Sequence, residues 1–209
     1  MKSLPASYFD ALYQTDPDPW KFATSEYEAA KYAATIAALP QSRYHSALEI
    51  GGSIGVLTQK LAQVCDRVLS IDVSALAQAQ AIDRCQYLPQ VSFDIMRFPQ
   101  EYPHQKFDLI LVSEVGYYWC PEDLHAAQQR MLELLEPGGN LLLVHWLPRS
   151  PDYPLTGDQV HESFLRLAPT QLQHLQARKN DKYRLDLFAR VYGSNPVTLY
   201  PSRTNLTTG

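Results

Sequence analysis

A chain of 209 residues has the length of one domain, and at this size folding buries roughly 70 % of the surface that the unfolded chain exposes. Hydrophobic residues make up 45 % and charged residues 19 %, the balance of an ordinary globular protein, which argues against disorder. Eighteen basic residues against twenty-two acidic ones leave a net charge of −4, which is unlike the basic footprint of a nucleic-acid binder, although an average can contain a local basic patch; no nucleic-acid partner is expected.

The three cysteines, Cys65, Cys85 and Cys120, are odd in number and far apart, which fits neither a disulfide framework nor a CxxC metal site. The first residues, MKSLPASYFDALYQ, hold no apolar stretch, so no secretory signal is expected. Apolar runs such as Leu141–Val144 fall far short of the roughly 20 residues that span a bilayer. The expectation is a cytoplasmic protein without membrane contact.

In chain order, residues 1–23 read as irregular, because Pro17 and Pro19 each bias the preceding residue away from helix. Ser25 and Glu28 have the S-x-x-E spacing of a capping box, which predicts a helix through the alanine-rich stretch to Leu39, stopped by Pro40. Short apolar runs then alternate with helical periods. His45–Ile50 is predicted as a strand, Ile54–Val64 as a helix, and Arg67–Val73 as a second strand. Ser74 caps a predicted helix over Ala75–Cys85. Val91–Ile95 is a third strand. FDLILVS, residues 107–113, is the continuous apolar run of a parallel strand buried on both faces. Pro121 opens a helix that ends at Glu136-Pro137-Gly138-Gly139, before a fifth strand over Asn140–Trp146. A helix around Gly157–Leu167 and two edge strands near Leu172–Arg178 and Tyr183–Val191 follow, and the last dozen residues read as a tail.

This alternation predicts an α/β fold: a doubly wound, mostly parallel sheet with helices on both faces, which binds its ligand outside the carboxyl ends of the strands. The chemistry concentrates in Leu48-Glu49-Ile50-Gly51-Gly52-Ser53-Ile54-Gly55, a strand that turns through glycines into a helix. Glycines there admit a tight bend and the close approach of a ligand to the main chain. The next strand ends in Asp72, at the same sheet edge, where a carboxylate can accept from both hydroxyls of a ribose. A dinucleotide site wants G-x-G-x-x-G. Gly51, Gly52 and Ser53 break that spacing.

The E-x-G-x-x-x-G turn with its following acid resembles motif I of the Rossmann-like S-adenosylmethionine-dependent methyltransferases, and FDLILVSEVGYYW and LEPGGNLLLVHW resemble that family's fourth and fifth strands. DPDPWKFATSEYEAAKYAATIAALP is similar to the N-terminal segment of the NodS-type nodulation-factor N-methyltransferases, which methylate an amino group on a chitooligosaccharide. The resemblance covers about residues 13–147 and implies a single seven-stranded domain. In it, residues 1–40 form a helical lid, 41–147 the cofactor core, and 148–209 an acceptor-side segment with the edge strands. The cofactor implied is S-adenosyl-L-methionine, with S-adenosyl-L-homocysteine as product.

By that resemblance Glu49, Gly51, Gly52 and Gly55 line the methionine end and Asp72 holds the ribose, with Val73 and Ser74 beside the adenine. Glu114 closes the site, and Trp20, Tyr27 and Lys31 cover it. At the position of the family's acid after the third strand this chain has Arg97, so either a shortened loop lets Asp94 take that role or the adenine is held by backbone alone.

His145 ends the fifth strand and is the candidate base, since an imidazole titrates near neutral pH. A histidine satisfied by packing is an equal reading. Glu114 is a second catalytic candidate, able to orient an amine. Tyr117, Tyr118 and His161 are acceptor candidates. The tyrosines read equally as the apolar start of a helix, and a lone histidine such as His161 is more often a surface residue. Two histidines without a third ligand predict no metal site. The function expected is methyl transfer to a small molecule or saccharide, at an amine. The alternatives are an O-methyltransferase and a module that binds the cofactor without turnover.

Overall fold

The alternation of strands and helices folds into one seven-stranded sheet of order β3-β2-β1-β4-β5-β7-β6. The computed structural model describes residues 1–168 and 170–191. The expected tail over the last dozen residues lies outside them. β1 (Ala47–Ile50), β2 (Val68–Asp72), β3 (Val91–Ile95), β4 (Phe107–Ser113) and β5 (Leu135–Trp146) run parallel. β6 (Leu172–Lys179) and β7 (Tyr183–Arg190) form a hairpin that joins β5 through an antiparallel β5–β7 pair, so the sheet is mixed.

The chain steps outward from β1 to β2 and β3, then returns to lay β4 on the other side of β1. That reversal opens a crevice at the carboxyl ends of β1 and β4, where a ligand has room above the sheet.

Successive residues of a strand face opposite sides, and the core divides accordingly. Leu48, Ile110, Val112, Leu141 and Leu143 belong to one apolar cluster. Ala47, Leu109, Leu111, Leu142 and Val144 belong to the other. Helices α1 (Ala6–Thr15), α5 (Pro121–Leu134) and α6 (Gly157–Leu165) feed the first cluster, through Phe9, Met131 and Phe164 among others. Helices α2 (Glu26–Ala37) and α3 (Val56–Leu61) feed the second, through Tyr32 and Leu61. α4 (Ala75–Arg84) follows β2. Among the described residues no helix is long and apolar enough to cross a membrane.

Three expectations need correction. Residues 6–15 are helical, because Pro5 sits ahead of the first turn, where its missing N–H costs nothing, and Phe9 and Tyr13 bury on one face. The capping box at α2 is only half formed. Ser25 Oγ accepts from the Glu28 N–H at 3.3 Å, but the Glu28 carboxylate turns to Lys31 instead. α3 is shorter than the period predicts, because Gly55 ahead of it adopts φ +80° and delays the first helical residue to Val56.

Candidate functional site

The glycine turn is shaped by the end of β2. The N–H groups of Gly51 and Gly52 both donate to the Ile71 carbonyl, at 2.8 and 3.2 Å. Gly51 adopts φ +83°, and a Cβ there would stand 2.0 Å from Val115 Cγ2, so the loop after β4 lies directly against the turn.

A cavity of about 570 Å³ lies over these strand ends. Glu49, Gly51, Gly52, Ser53, Asp72 and Val73 line it from β1 and β2, and Ser113, Glu114 and Val115 from β4. Met96, Arg97 and Phe98 line the end beyond β3, facing Trp119 across a ring separation of 6.0 Å from Phe98. Phe9, Tyr13, Trp20 and Phe22 cover it from the N-terminal segment.

Three carboxylates on this wall are held differently. Asp72 Oδ2 accepts from the Ser53 N–H and Oδ1 from the Ser74 N–H, each at 2.8 Å. Burial raises its pKa, against the backbone donors that favour the anion. Glu49 Oε2 accepts from Thr58 Oγ1 at 2.5 Å and Ser70 Oγ at 2.7 Å, and burial raises its pKa likewise. Glu114 has a left-handed backbone, φ +59°, and both of its oxygens are engaged. Oε1 accepts from Lys31 Nζ at 2.5 Å, and Oε2 from Tyr117 Oη at 2.6 Å and the Trp146 N–H at 2.8 Å. Lys31 is 2 % exposed. Burial opposes its charge, but Glu114 and Glu28 outweigh that and raise its pKa.

Of the cofactor residues expected from the sequence, Trp20, Glu49, Gly51, Gly52, Asp72, Val73 and Glu114 meet in this cavity. Others do not line it. At Gly55 a Cβ would stand 2.9 Å from Ala81 Cα, so that glycine serves the packing of α3 on α4. Ser74 accepts from the Ala77 N–H at 3.3 Å, capping α4, and donates to Asp10 at 2.6 Å. Lys31 stands behind Glu114. The Tyr27 ring lies under Lys31 Nζ at 5.5 Å, and burial pushes its hydroxyl up to about 12. Asp94 is exposed on edge strand β3. Ile95 pairs with Asp72, so the chain reaches the cavity only at Met96.

The acceptor-side expectations change more. Tyr118 lines the cavity, but Tyr117 does not: it donates to Glu114 and stacks on Tyr153 at 5.1 Å. His145 is fully buried with its Nε2 accepting from the Gly116 N–H at 3.0 Å, so the lone pair a base needs is taken. Burial, then His161 and Lys31, push its pKa well below the ordinary histidine value. His161 is also fully buried, between His145 and Asp186, and does not line this cavity. Sequence reasoning missed Phe9, Tyr13 and Ser53. The four-residue spacing of Phe9 and Tyr13 is the signal that finds the first two. Tyr13 Oη meets Ser53 Oγ at 2.5 Å, and burial with the neighbouring Asp72 raises its pKa.

A glycine turn and three acids over the strand ends of a 3-2-1-4-5-7-6 sheet place the chain among Rossmann-like methyltransferase folds. A solved Pseudomonas syringae protein, described as a candidate methyltransferase, superposes with a TM-score of 0.71 at 33 % identity, over 79 % of this chain and 100 % of that one. The N-methyltransferase NodS of Bradyrhizobium japonicum, solved with S-adenosyl-L-homocysteine, shares the fold with a TM-score of 0.79 at 23 % identity, over 90 % of this chain and 99 % of that one. The chain belongs to the Nodulation protein S (NodS) family, whose model matches residues 12–179. Nodulation protein S of Bradyrhizobium diazoefficiens is 35 % identical over 137 residues, which are 60 % of this chain and 61 % of that relative. The chain thus spans about three fifths of that relative's length.

Proposed function

We propose that this protein is an S-adenosylmethionine-dependent methyltransferase acting on an amine of a small molecule or saccharide. One observation carries the reading: Asp72, pinned by two backbone N–H groups, faces the same cavity as the glycine turn and Glu49. Asp72 would accept from the ribose hydroxyls, and Glu49 with Glu114 would face the charged amino-acid end. Met96, Phe98 and Trp119 offer apolar faces for the base. When bound, S-adenosylmethionine supplies a methyl group already activated on a sulfonium.

The protein's share is then alignment and exclusion of water. A hydroxyl acceptor needs a base during attack. Among the described residues no imidazole lines the cavity, which favours an amine that arrives unprotonated.

Residues 1–40 act in this reading as a lid, 41–147 as the cofactor core and 148–209 as the acceptor-side segment. Tyr13 on Ser53, Asp10 on Ser74, and the Leu4 N–H on the Tyr118 carbonyl at 3.0 Å tie the first segment across the cavity. Free thiols at Cys65, Cys85 and Cys120 favour a reducing, cytoplasmic setting, and the net charge of −4 disfavours nucleic acid as acceptor.

Calorimetric titration with S-adenosylhomocysteine, with NAD as control, tests the reading. Micromolar binding of the first and none of the second is expected. Absence of S-adenosylhomocysteine binding overturns it.

A further inference from the structure

A file of three buried side chains runs from β7 through α6 to β5, outside the cavity. Its direction is dictated from one end. The Gly116 N–H points at His145 Nε2 at 3.0 Å, and a backbone amide can only donate. His145 therefore carries no proton on Nε2 and, when neutral, carries it on Nδ1. That nitrogen lies 3.0 Å from His161 Nε2, which must accept. The proton of His161 then sits on Nδ1, 2.6 Å from Asp186 Oδ2.

A protonated His161 would turn an N–H toward the N–H of His145. The file is satisfied only with both rings neutral. Asp186 stays charged because Arg184 Nε donates to Oδ2 at 2.7 Å, while His174 Nε2 lies 2.6 Å from Oδ1. Arg184 in turn reaches Asp158 at 3.1 Å and Glu162 at 2.8 Å.

The far end of the file bears on the cavity wall. Gly116 opens the 3₁₀ turn Gly116–Tyr118, two residues after Glu114. The left-handed backbone of Glu114 persists only where its surroundings over-determine it. Two of those surroundings belong to the file's neighbourhood: Tyr117 within the turn, and the Trp146 N–H next to His145. The packing is close, since a Cβ on Gly116 would come within 2.8 Å of His145 Nε2 and one on Gly157 within 3.2 Å of His145 Cβ. Burying this much polar surface is costly compared with an apolar core, so volume alone does not account for it.

We infer that His145, oriented by His161 and Asp186, is a positioning residue that anchors the Gly116 N–H and thereby holds Tyr117 against Glu114 and fixes Glu114 on the cavity wall. The ligand readout rests on the function proposed above. The loop readout does not.

Two variants separate positioning from filling. His145→Gln keeps an acceptor for the Gly116 N–H, whereas His145→Leu fills the space and offers none. The readouts are hydrogen exchange of residues 114–118 and the calorimetric affinity for S-adenosylhomocysteine. His145→Leu is expected to speed exchange in the loop and weaken binding about tenfold, because a buried donor is left unmatched, while His145→Gln stays within about threefold of the parent. Parent-like exchange and affinity in His145→Leu, or equal losses in both variants, overturn the inference.

Nitrogen NMR of the parent imidazoles decides the matter even where a variant fails to fold. A neutral His145 protonated on Nδ1 is expected, and a proton on Nε2 overturns the file. If the parent binds no S-adenosylhomocysteine, the proposed function falls, and exchange and NMR still judge the file by themselves.

Discussion

Lys31 Nζ donates to Glu114 Oε1 at 2.5 Å and also meets Glu28 Oε2 at 2.8 Å, so one buried ammonium bridges two carboxylates between α2 and the end of β4. The bridge joins the N-terminal segment to the cavity wall. Lys31→Met would leave both acids buried without their cation, a loss on the order of 3–5 kcal/mol in urea unfolding. Adding Glu114→Gln removes one orphaned charge, so the double variant should be more stable than Lys31→Met alone. Additive losses would show that the two groups do not act as a pair.

Asp72 offers a test of ligand binding separate from the fold. Asp72→Asn keeps the shape and one oxygen but loses the charge that, in the proposed function, would strengthen bonds from ribose hydroxyls. Affinity for S-adenosylhomocysteine should fall about 10- to 100-fold, as expected for a hydrogen bond to a charged group. Its new amide N–H₂ must face either the Ser53 or the Ser74 N–H, so a stability loss of about 1 kcal/mol should accompany it. Calorimetry and urea unfolding read the two effects on the same sample.

How much was legible follows from which contacts are local. FDLILVS announces a strand buried on both faces, and the structure sends Leu109 and Leu111 to one core cluster and Ile110 and Val112 to the other. Asp72 and the glycine turn were legible because strand ends define a sheet edge. α1 was hidden by the prolines around it, although Phe9 and Tyr13 carry its period. The role of His145 was not legible. Which ring nitrogen carries the proton depends on the Gly116 N–H, 29 residues away in sequence. That Asp94 does not line the cavity was hidden for a similar reason: the β2–β3 register decides where β3 meets it.

Gly51 is predicted to be irreplaceable on two counts. Alanine there must hold φ +83°, at roughly 1–2 kcal/mol, and its Cβ would overlap Val115. Gly138 shares only the first problem, with φ +79° in the turn within β5. Gly138→Ala should therefore lose some stability and bind S-adenosylhomocysteine as the parent does, while Gly51→Ala loses both stability and binding. Retained affinity in Gly51→Ala would mean that the loop after β4 can retreat without cost to the site.

The neutral histidine file predicts the acid limb of the stability curve. Burial lowers the pKa of both His145 and His161, with His161 also facing Asp186, Arg184 and Asp158, and His145 facing Lys31. The unfolded chain takes up protons near pH 6.5 and the folded one does not, so protons favour unfolding. The contribution of each ring is complete above about pH 6.5 and is lost as pH falls, for His145 by about 1.4 kcal/mol near pH 5.5. Glu49 and Asp72, whose pKa values are raised, act in the opposite sense, losing stability as pH rises past the carboxylate range. Both acids remain in His145→Gln and cancel in a comparison. Urea unfolding at pH 7.5 and 5.5 should therefore show a smaller drop in His145→Gln than in the parent, by about 1.4 kcal/mol. Equal drops would mean that His145 takes up its proton in the folded protein, and a charged ring there cannot accept from Gly116.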